Sequence, residues 1–303
     1  MANISAKDVA ALRAKTGCGM MECKKALVEA EGNIDEAVKV LRERGLAVAA
    51  KKADRIAAEG IVAIMEKNGV AAMIEVNSES DFVAKNEKFR AFVDTLLETI
   101  IANKPADVDA LMACTLGEQT VDATLKEQIF VIGEKLTIRR FVIVEGAVST
   151  YVHGGGSTGV IVKFDLDGVA ADDAAFVECA HNVALQAAAM NATYANKSDV
   201  PQSALDEEKE VLKSQMENDP NLASKPEKVK EGIIMGKLGK FYENYCLAEQ
   251  AYVKDDSMSV AKYIASVNKG IKIVSFVKYE KGEGLQKRED NLAEEVAKLT
   301  SGQ

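Results

Sequence analysis

One pattern in this chain is written twice. Glu59-Gly60-Ile61-Val62 opens an apolar run that reaches Met65, and Glu145-Gly146-Ala147-Val148 opens a second. Gly69-Val70-Ala71-Ala72 is then echoed by Gly159-Val160-Ile161-Val162. A helical pattern follows each return strand. After the first, Phe89, Phe92, Val93, Leu96, Leu97, Ile100 and Ile101 recur at i, i+3, i+4 spacing; after the second come Phe176, Val177, Ala180 and Ala184. In the first copy the strands flank Asn68-Gly69, the dipeptide that best tolerates the positive φ angles of a tight hairpin. A hairpin followed by a helix buries one sheet face under that helix and packs beside its twin, so the duplication predicts an α+β fold with small antiparallel sheets.

The flanking segments are different in kind. Residues 1–55 read as three short helices. Ser5 and Asp8 form a capping box, Gly17-Cys18-Gly19 opens a second helix at Met20 and Met21, and Asn33 caps a third that stops before Gly45. Residues 47–58 read as helical or extended. Beyond Pro105, a helix over 121–132 buries Leu125, Ile129 and Ile132, and a strand runs from Ile138 to Glu145. Between 198 and 247 helix formers and mixed charges replace the β pattern, with a turn at Asp219-Pro220-Asn221. The second helix there carries Val229, Ile233, Ile234, Leu238, Phe241, Tyr242 and Tyr245, a longer apolar stripe than a short partner helix covers. Ile271 to Tyr279 reads as a strand apolar on both faces, suited to a buried place in the second sheet, and a last helix aligns Leu292, Val296 and Leu299. The expected organisation is a helical module over 1–55, a core subdomain over 56–137, a second from 138–197 and 248–285, a helical hairpin over 198–247, and a C-terminal helical module over 286–303.

Composition narrows function by what it lacks. The net charge of −9 argues against a general nucleic-acid binder, although residues 1–55 hold 11 Lys/Arg against 8 Asp/Glu while the remainder holds 27 against 39. With no Trp and 5% aromatics, stacking platforms for single strands are also scarce. No run approaches the roughly 18 uncharged apolar residues of a membrane span, and no leader pattern opens the chain, so a cytoplasmic protein is expected. Five scattered Cys residues fit free thiols in a reducing compartment. With only His153 and His181 beside them, Cys18 and Cys23 have no partners for a zinc site, so neither a metal nor a cofactor is expected.

Two motifs imitate catalysis. His153-Gly154-Gly155-Gly156-Ser157-Thr158-Gly159 contains an H-G-G-G string and an overlapping G-x-S-x-G string, which esterases use as an oxyanion loop and a nucleophile elbow. In those enzymes they are separate elements, whereas here they share residues between two strands, as a hairpin loop does. Asp172-Asp173 and Asp255-Asp256 precede helical patterns, where carboxylates favour the helix dipole, and they read as helix caps. His181 reads as a partly buried helix residue. No catalytic site is expected. Ser80-Asp81-Phe82-Val83 has two readings: Phe82 staples the start of a helix to the core with Ser80 or Asp81 as cap, or an aromatic beside a charge anchors a partner protein.

Two long segments, Gly17-Cys18-Gly19-Met20-Met21-Glu22-Cys23-Lys24-Lys25-Ala26-Leu27 and Glu75-Val76-Asn77-Ser78-Glu79-Ser80-Asp81-Phe82-Val83-Ala84-Lys85-Asn86, resemble the two signatures of the bacterial elongation factor Ts family. The likeness covers nearly the whole chain and departs in two places: the family usually has Thr where Ser80 stands, and the glycine-rich run at 154–156 is a local form of a variable hairpin. The resemblance implies a ubiquitin-associated-like helical module, a duplicated α+β core, an inserted dimerisation hairpin and a C-terminal helix. It implies a guanine nucleotide exchange factor for the translational GTPase elongation factor Tu, met both GDP-bound and nucleotide-free, with no nucleotide held by this chain. By the same resemblance Ser80, Asp81, Phe82 and Val83 form the loop that enters the GTPase and dislodges Mg²⁺. Met20 and Met21 of the module, His153, and Leu292 and Val296 of the C-terminal helix make further contacts. A homodimer through 198–247 is one use of the hairpin, and contact with the GTPase is the other. A binding scaffold without exchange activity, and a serine hydrolase on Ser157 and His153, are the competing functions.

Overall fold

Local capping fixes the first helices in the computed structural model, which describes residues 4–286. Helix α1 (Ala6–Thr16) starts where the Ser5 hydroxyl accepts from the Asp8 N–H and the Asp8 carboxylate accepts from the Ser5 N–H, and it ends at Gly17 in the left-handed region. Helix α2 (Met20–Glu29) follows, and Asn33 then caps α3 (Ile34–Lys52) by accepting from the Asp35 and Glu36 N–H groups. The three enclose a small core that includes Leu12, Cys23, Leu27 and Leu41.

Strands β1 (Glu59–Lys67) and β2 (Val70–Ser78) turn on Asn68 and Gly69, both at positive φ. A one-turn helix α4 (Asp81–Ala84) leads to α5 (Glu87–Asn103), which buries Phe89, Phe92, Val93, Leu96, Leu97 and Ile100. Then come α6 (Val108–Ala113), the short pair β3 (Thr115–Leu116) and β4 (Gln119–Thr120), α7 (Val121–Ile132) and β5 (Leu136–Glu145). In α7 the inward residues are Val121, Leu125 and Ile129; Ile132, expected inside, is only half-buried next to the Gly133 cap. Helix α3 does not stop before Gly45. It continues to Lys52 because it packs on α7, and a Cβ at Gly45 would lie 3.5 Å from Phe130 Cβ. That glycine marks a close helix contact, not an end.

The second copy consists of β6 (Ala147–His153) and β7 (Thr158–Leu166), paired antiparallel from Ala147↔Phe164 to His153↔Thr158, with α8 (Ala174–Ala189) packed on both. Asp173 caps α8, as expected, by accepting from the Phe176 N–H. The chain continues through α9 (Gln202–Glu217), α10 (Pro220–Ala223), α11 (Glu227–Tyr245), β8 (Ala251–Tyr252), β9 (Asp255–Ser259), α12 (Val260–Val267) and β10 (Ile271–Glu280). Helix α9 is nearly as long as α11, so the hairpin has its own core of Leu212, Met216, Ile234 and Leu238, while Val211, Val229, Met235 and Tyr245 stay exposed.

Two expectations are corrected in this part of the chain. Asp255 and Asp256 lie on strand β9, where Asp255 accepts from the Ser257 N–H and hydroxyl; the cap of α12 is Ser259, which accepts from the Lys262 N–H. Strand β10 does complete the second sheet, but at its edge. Ile271 and Ile273 face inward and Val274 faces out, so its apolar residues are not buried on both sides.

The fold is α+β with small antiparallel sheets, and the duplication is visible in the topology. One sheet has the order β1-β2-β5 and the other β6-β7-β10, each with the return strand of the hairpin in the centre and a later strand beside it. Gly60 and Gly146, the matching glycines of the repeat, have φ of 115° and 111°. The chain divides into two compact units, one with 4–63, 74–142 and 280–286, the other with 64–73 and 143–279. The expected helix over 291–299, with Leu292 and Val296, lies outside the described residues.

The paired glycines yield a prediction. A Cβ at Gly60 would lie 2.1 Å from the Val76 carbonyl oxygen, whereas one at Gly146 would meet only Lys163 Cε at 3.5 Å. Gly146→Ala is expected to cost about 1–2 kcal/mol of backbone strain, and Gly60→Ala at least about 2 kcal/mol more, since backbone must also move. Urea denaturation of the two variants checks the order.

Candidate partner-binding site

At the end of β2 the chain leaves a buried strand for an exposed corner. Ser78 is buried, and its hydroxyl donates to the Ser80 carbonyl at 2.9 Å. Ser80 is the residue before α4 and has extended backbone, but its side chain does not cap that helix. Its N–H and hydroxyl instead donate to the two oxygens of Glu134, at 2.9 and 2.6 Å. The neighbouring Glu79 accepts from the Lys135 N–H at 2.6 Å and from the Arg55 guanidinium at 3.3 Å, and the Lys135 ammonium donates to the Arg55 carbonyl at 2.9 Å.

Helix α4 is a single turn, so only one side of it meets the protein. Val83 and Ala84 take that side and are buried, and Phe82 is left 79% exposed. The expectation that Phe82 staples the helix to the core is therefore overturned, as is side-chain capping by Ser80. Scattered exposed apolar residues are ordinary; the clamped backbone beneath Phe82 sets it apart. Beside it, Lys85 donates to Asp81 at 2.6 Å and stands 6.0 Å from the centre of the Phe82 ring. The Lys85 hydrogen bond holds the Asp81 carboxyl below the usual carboxylate range, against a small opposing effect of desolvation. The corner thus presents a carboxylate and an aromatic ring on a fixed backbone, a combination suited to entering a partner and unsuited to proton transfer.

The other expected contact residues lie on separate elements. Met20 and Met21 open α2 just after the Gly17-Cys18-Gly19 loop, and both are exposed. His153 ends β6, exposed, with Nδ1 3.1 Å from the Tyr151 hydroxyl. The Tyr151 ring lies 6.1 Å from that of His181, edge to face, and His181 is exposed on α8, not partly buried as expected. Tyr151, His153, Leu185, Val253 and Lys254 line a hollow of about 410 Å³ that the sequence did not reveal.

The esterase-like segment has another use. Gly154, Gly155 and Gly156 all have positive φ and form a tight hairpin end, and the Ser157 hydroxyl donates to the His153 carbonyl at 3.1 Å. A serine nucleophile needs a neighbouring general base to take its proton; here that proton points at a backbone oxygen. Among the described residues no group of three or more His, Cys, Asp or Glu is placed to hold a metal ion. Cys18 and Cys23 are buried free thiols, and burial pushes the Cys18 thiol up.

A family model described as Elongation factor TS matches residues 79–283, a range that includes the whole Ser80–Val83 corner. The chain belongs to the elongation factor Ts family. Elongation factor Ts of Clostridioides difficile (strain 630) is 46% identical over 307 residues, covering 98% of this chain and 99% of that protein. Elongation factor Ts of Syntrophotalea carbinolica is 42% identical over 306 residues, with coverage of 98% and 99%. Membership of the elongation factor Ts family places the chain's role in translation elongation. Among the described residues no helix is long and apolar enough to cross a membrane.

The residues that hold the corner were missed by sequence reasoning. Lys85 had a signal, since Asp81 and Lys85 stand at the i,i+4 spacing of a helical ion pair. Glu134 had none, because it meets Ser80 across 54 positions of chain.

Proposed function

We propose that this chain is a guanine nucleotide exchange factor for elongation factor Tu, acting in the cytoplasm, and that it speeds GDP release by inserting the Asp81-Phe82 corner into the GTPase and displacing its Mg²⁺. The observation that carries this is the exposed Phe82 ring on a backbone held by hydrogen bonds from beneath. A translational GTPase retains its diphosphate through phosphate contacts and a bridging Mg²⁺. A partner that binds better once those are lost must, by linkage, weaken GDP binding by the same factor. Such a partner needs apolar anchors and no titrating catalytic group of its own.

In this proposal Ser80, Asp81, Phe82 and Val83 form the inserting loop. Met20 and Met21 of the helical module, His153 at the second hairpin, and Leu292 and Val296 provide further contacts that hold the GTPase while the corner acts. The exposed Val211, Met235 and Tyr245 of the α9–α11 hairpin support its use as a contact between two copies of the chain.

The test is stopped-flow release of a fluorescent GDP analogue from elongation factor Tu at rising concentrations of this protein. A saturating acceleration is expected, and release at the spontaneous rate would refute the proposal. Ser157→Ala is expected to leave the acceleration unchanged, because its hydroxyl serves only the hairpin end. A loss of model-ester hydrolysis in that variant would instead support the hydrolase.

A further inference from the structure

We propose that Glu134 is a positioning residue for the Asp81-Phe82 corner, holding it ready for insertion; this rests on the exchange function proposed above. Two segments clasp each other there. Glu134, just after the Gly133 cap of α7, accepts from the N–H and the hydroxyl of Ser80. In return Glu79, just before Ser80, accepts from the N–H of Lys135. Each segment therefore gives one carboxylate and one backbone N–H to the other, across 54 and 56 positions of chain. The clasp is also tied to the end of α3 and the stretch after it, because the Lys52 ammonium donates to the Gly133 carbonyl and Arg55 pairs with Glu79.

A helix of four residues does not hold itself, since one turn fixes several dihedrals for a single hydrogen bond. Val83 and Ala84 anchor α4 from its buried side, and Glu134 fixes the backbone at its start. This explains what the hydroxyl at position 80 does. It caps nothing in α4 and is instead the group by which Glu134 takes hold. A corner fixed beforehand has less freedom to lose when it enters a partner, so a larger share of the contact energy remains for displacing the ligand. Without the clasp the ring is still present and exposed, but it samples directions that do not lead into the GTPase. The expected defect is in the step after encounter, not in encounter itself.

The experiment measures GDP release from elongation factor Tu over a range of concentrations of the full-length chain, giving a maximal rate and a half-saturating concentration, alongside the melting temperature. Glu134→Ala is expected to lower the maximal rate about tenfold, with the half-saturating concentration changed by less than about twofold. Glu134→Gln, whose carboxamide can still accept from the Ser80 N–H and donate to the hydroxyl oxygen, is expected to recover most of the rate, as a purely local loss of charge would not allow. Ser80→Ala is expected to lower the rate to a similar extent, and the Ser80→Ala/Glu134→Ala double variant to be no slower than Glu134→Ala alone. Wild-type rates in Glu134→Ala, or additive losses in the double variant, overturn the proposal. If Glu134→Ala melts at much lower temperature, Ser80→Ala gives the same comparison with the Glu134 carboxylate left in place. Phe82→Ala in the same assay separates the two levels. If it is slow while Glu134→Ala is normal, the clasp is wrong and exchange through the corner stands; if it is also normal, both fall.

Discussion

Phe82→Ala is expected to slow stimulated GDP release from elongation factor Tu by about 30- to 1,000-fold, the range for removing a central aromatic anchor worth about 2–4 kcal/mol. Its melting temperature stays within about 1 °C of wild type, because a ring 79% exposed contributes almost nothing to the core. This separation between activity and stability is the mark of a residue kept for a partner. Asp81→Ala acts in the same direction with a smaller effect, since the Asp81 carboxylate is shared with Lys85 before any partner arrives. Stopped-flow release of a fluorescent GDP analogue, with thermal denaturation on the same samples, reads both quantities. An equal fall in both would return Phe82 to the role of a core staple.

A large loss of stability is also expected at Glu75. This carboxylate is fully buried in β2 and accepts from Arg139 at 3.0 and 3.2 Å, from Arg140 at 2.7 Å, from the Asn77 amide at 3.1 Å and from the Gly282 N–H at 2.8 Å. It therefore joins β2, β5 and the segment after β10. Glu75→Ala leaves two guanidinium groups without their shared partner and a buried N–H without an acceptor, a loss of about 3 kcal/mol. The lower end of the usual range for breaking a buried pair applies because Arg139 and Arg140 keep some contact with water and with Glu283.

The same site sets part of the acid behaviour. Burial raises the Glu75 carboxyl, but the Gly282 N–H, the Asn77 amide and the two arginines outweigh it, so the folded value lies below that of the unfolded chain. Its contribution is therefore complete above the ordinary glutamate range and is lost as pH falls from there through the lowered folded value. Urea denaturation from pH 7 to pH 3 is expected to show a steeper acid decline in wild type than in Glu75→Ala. Parallel curves would contradict the assignment.

What the sequence revealed depended on how far apart the interacting residues stand. The Asn68-Gly69 hairpin, the Ser5/Asp8 capping box and the Asn33 and Asp173 caps are interactions within a few residues, and all are present in the structure. The duplication was legible because the repeat carries its glycines with it, and Gly60 and Gly146 share one unusual φ. Gly45 misled because a glycine that ends a helix and one that lets two helices touch look alike until Phe130 is placed beside it. Strand β10 misled because apolar residues on both faces do not tell an edge from a centre. At the corner, the pattern allowed Phe82 to point inward. The outcome was decided by Val83 and Ala84 taking the one buried side of a four-residue helix, and by Glu134 and Glu79 pulling from 54 and 56 positions away. Glu75 was visible only as part of a signature, and its arginines, 64 and 65 positions later, carried no local mark.

The central claim is that binding of this chain and binding of GDP oppose each other on elongation factor Tu. The most direct test is the affinity of this chain for elongation factor Tu in its GDP-bound and nucleotide-free states, measured by titration calorimetry under one set of conditions. The account predicts tighter binding to the nucleotide-free form, with a ratio equal to the factor by which this chain weakens GDP, and a ratio that collapses towards one in Phe82→Ala. Equal affinity for the two forms with the wild-type chain would show a scaffold with no coupling and would contradict the account.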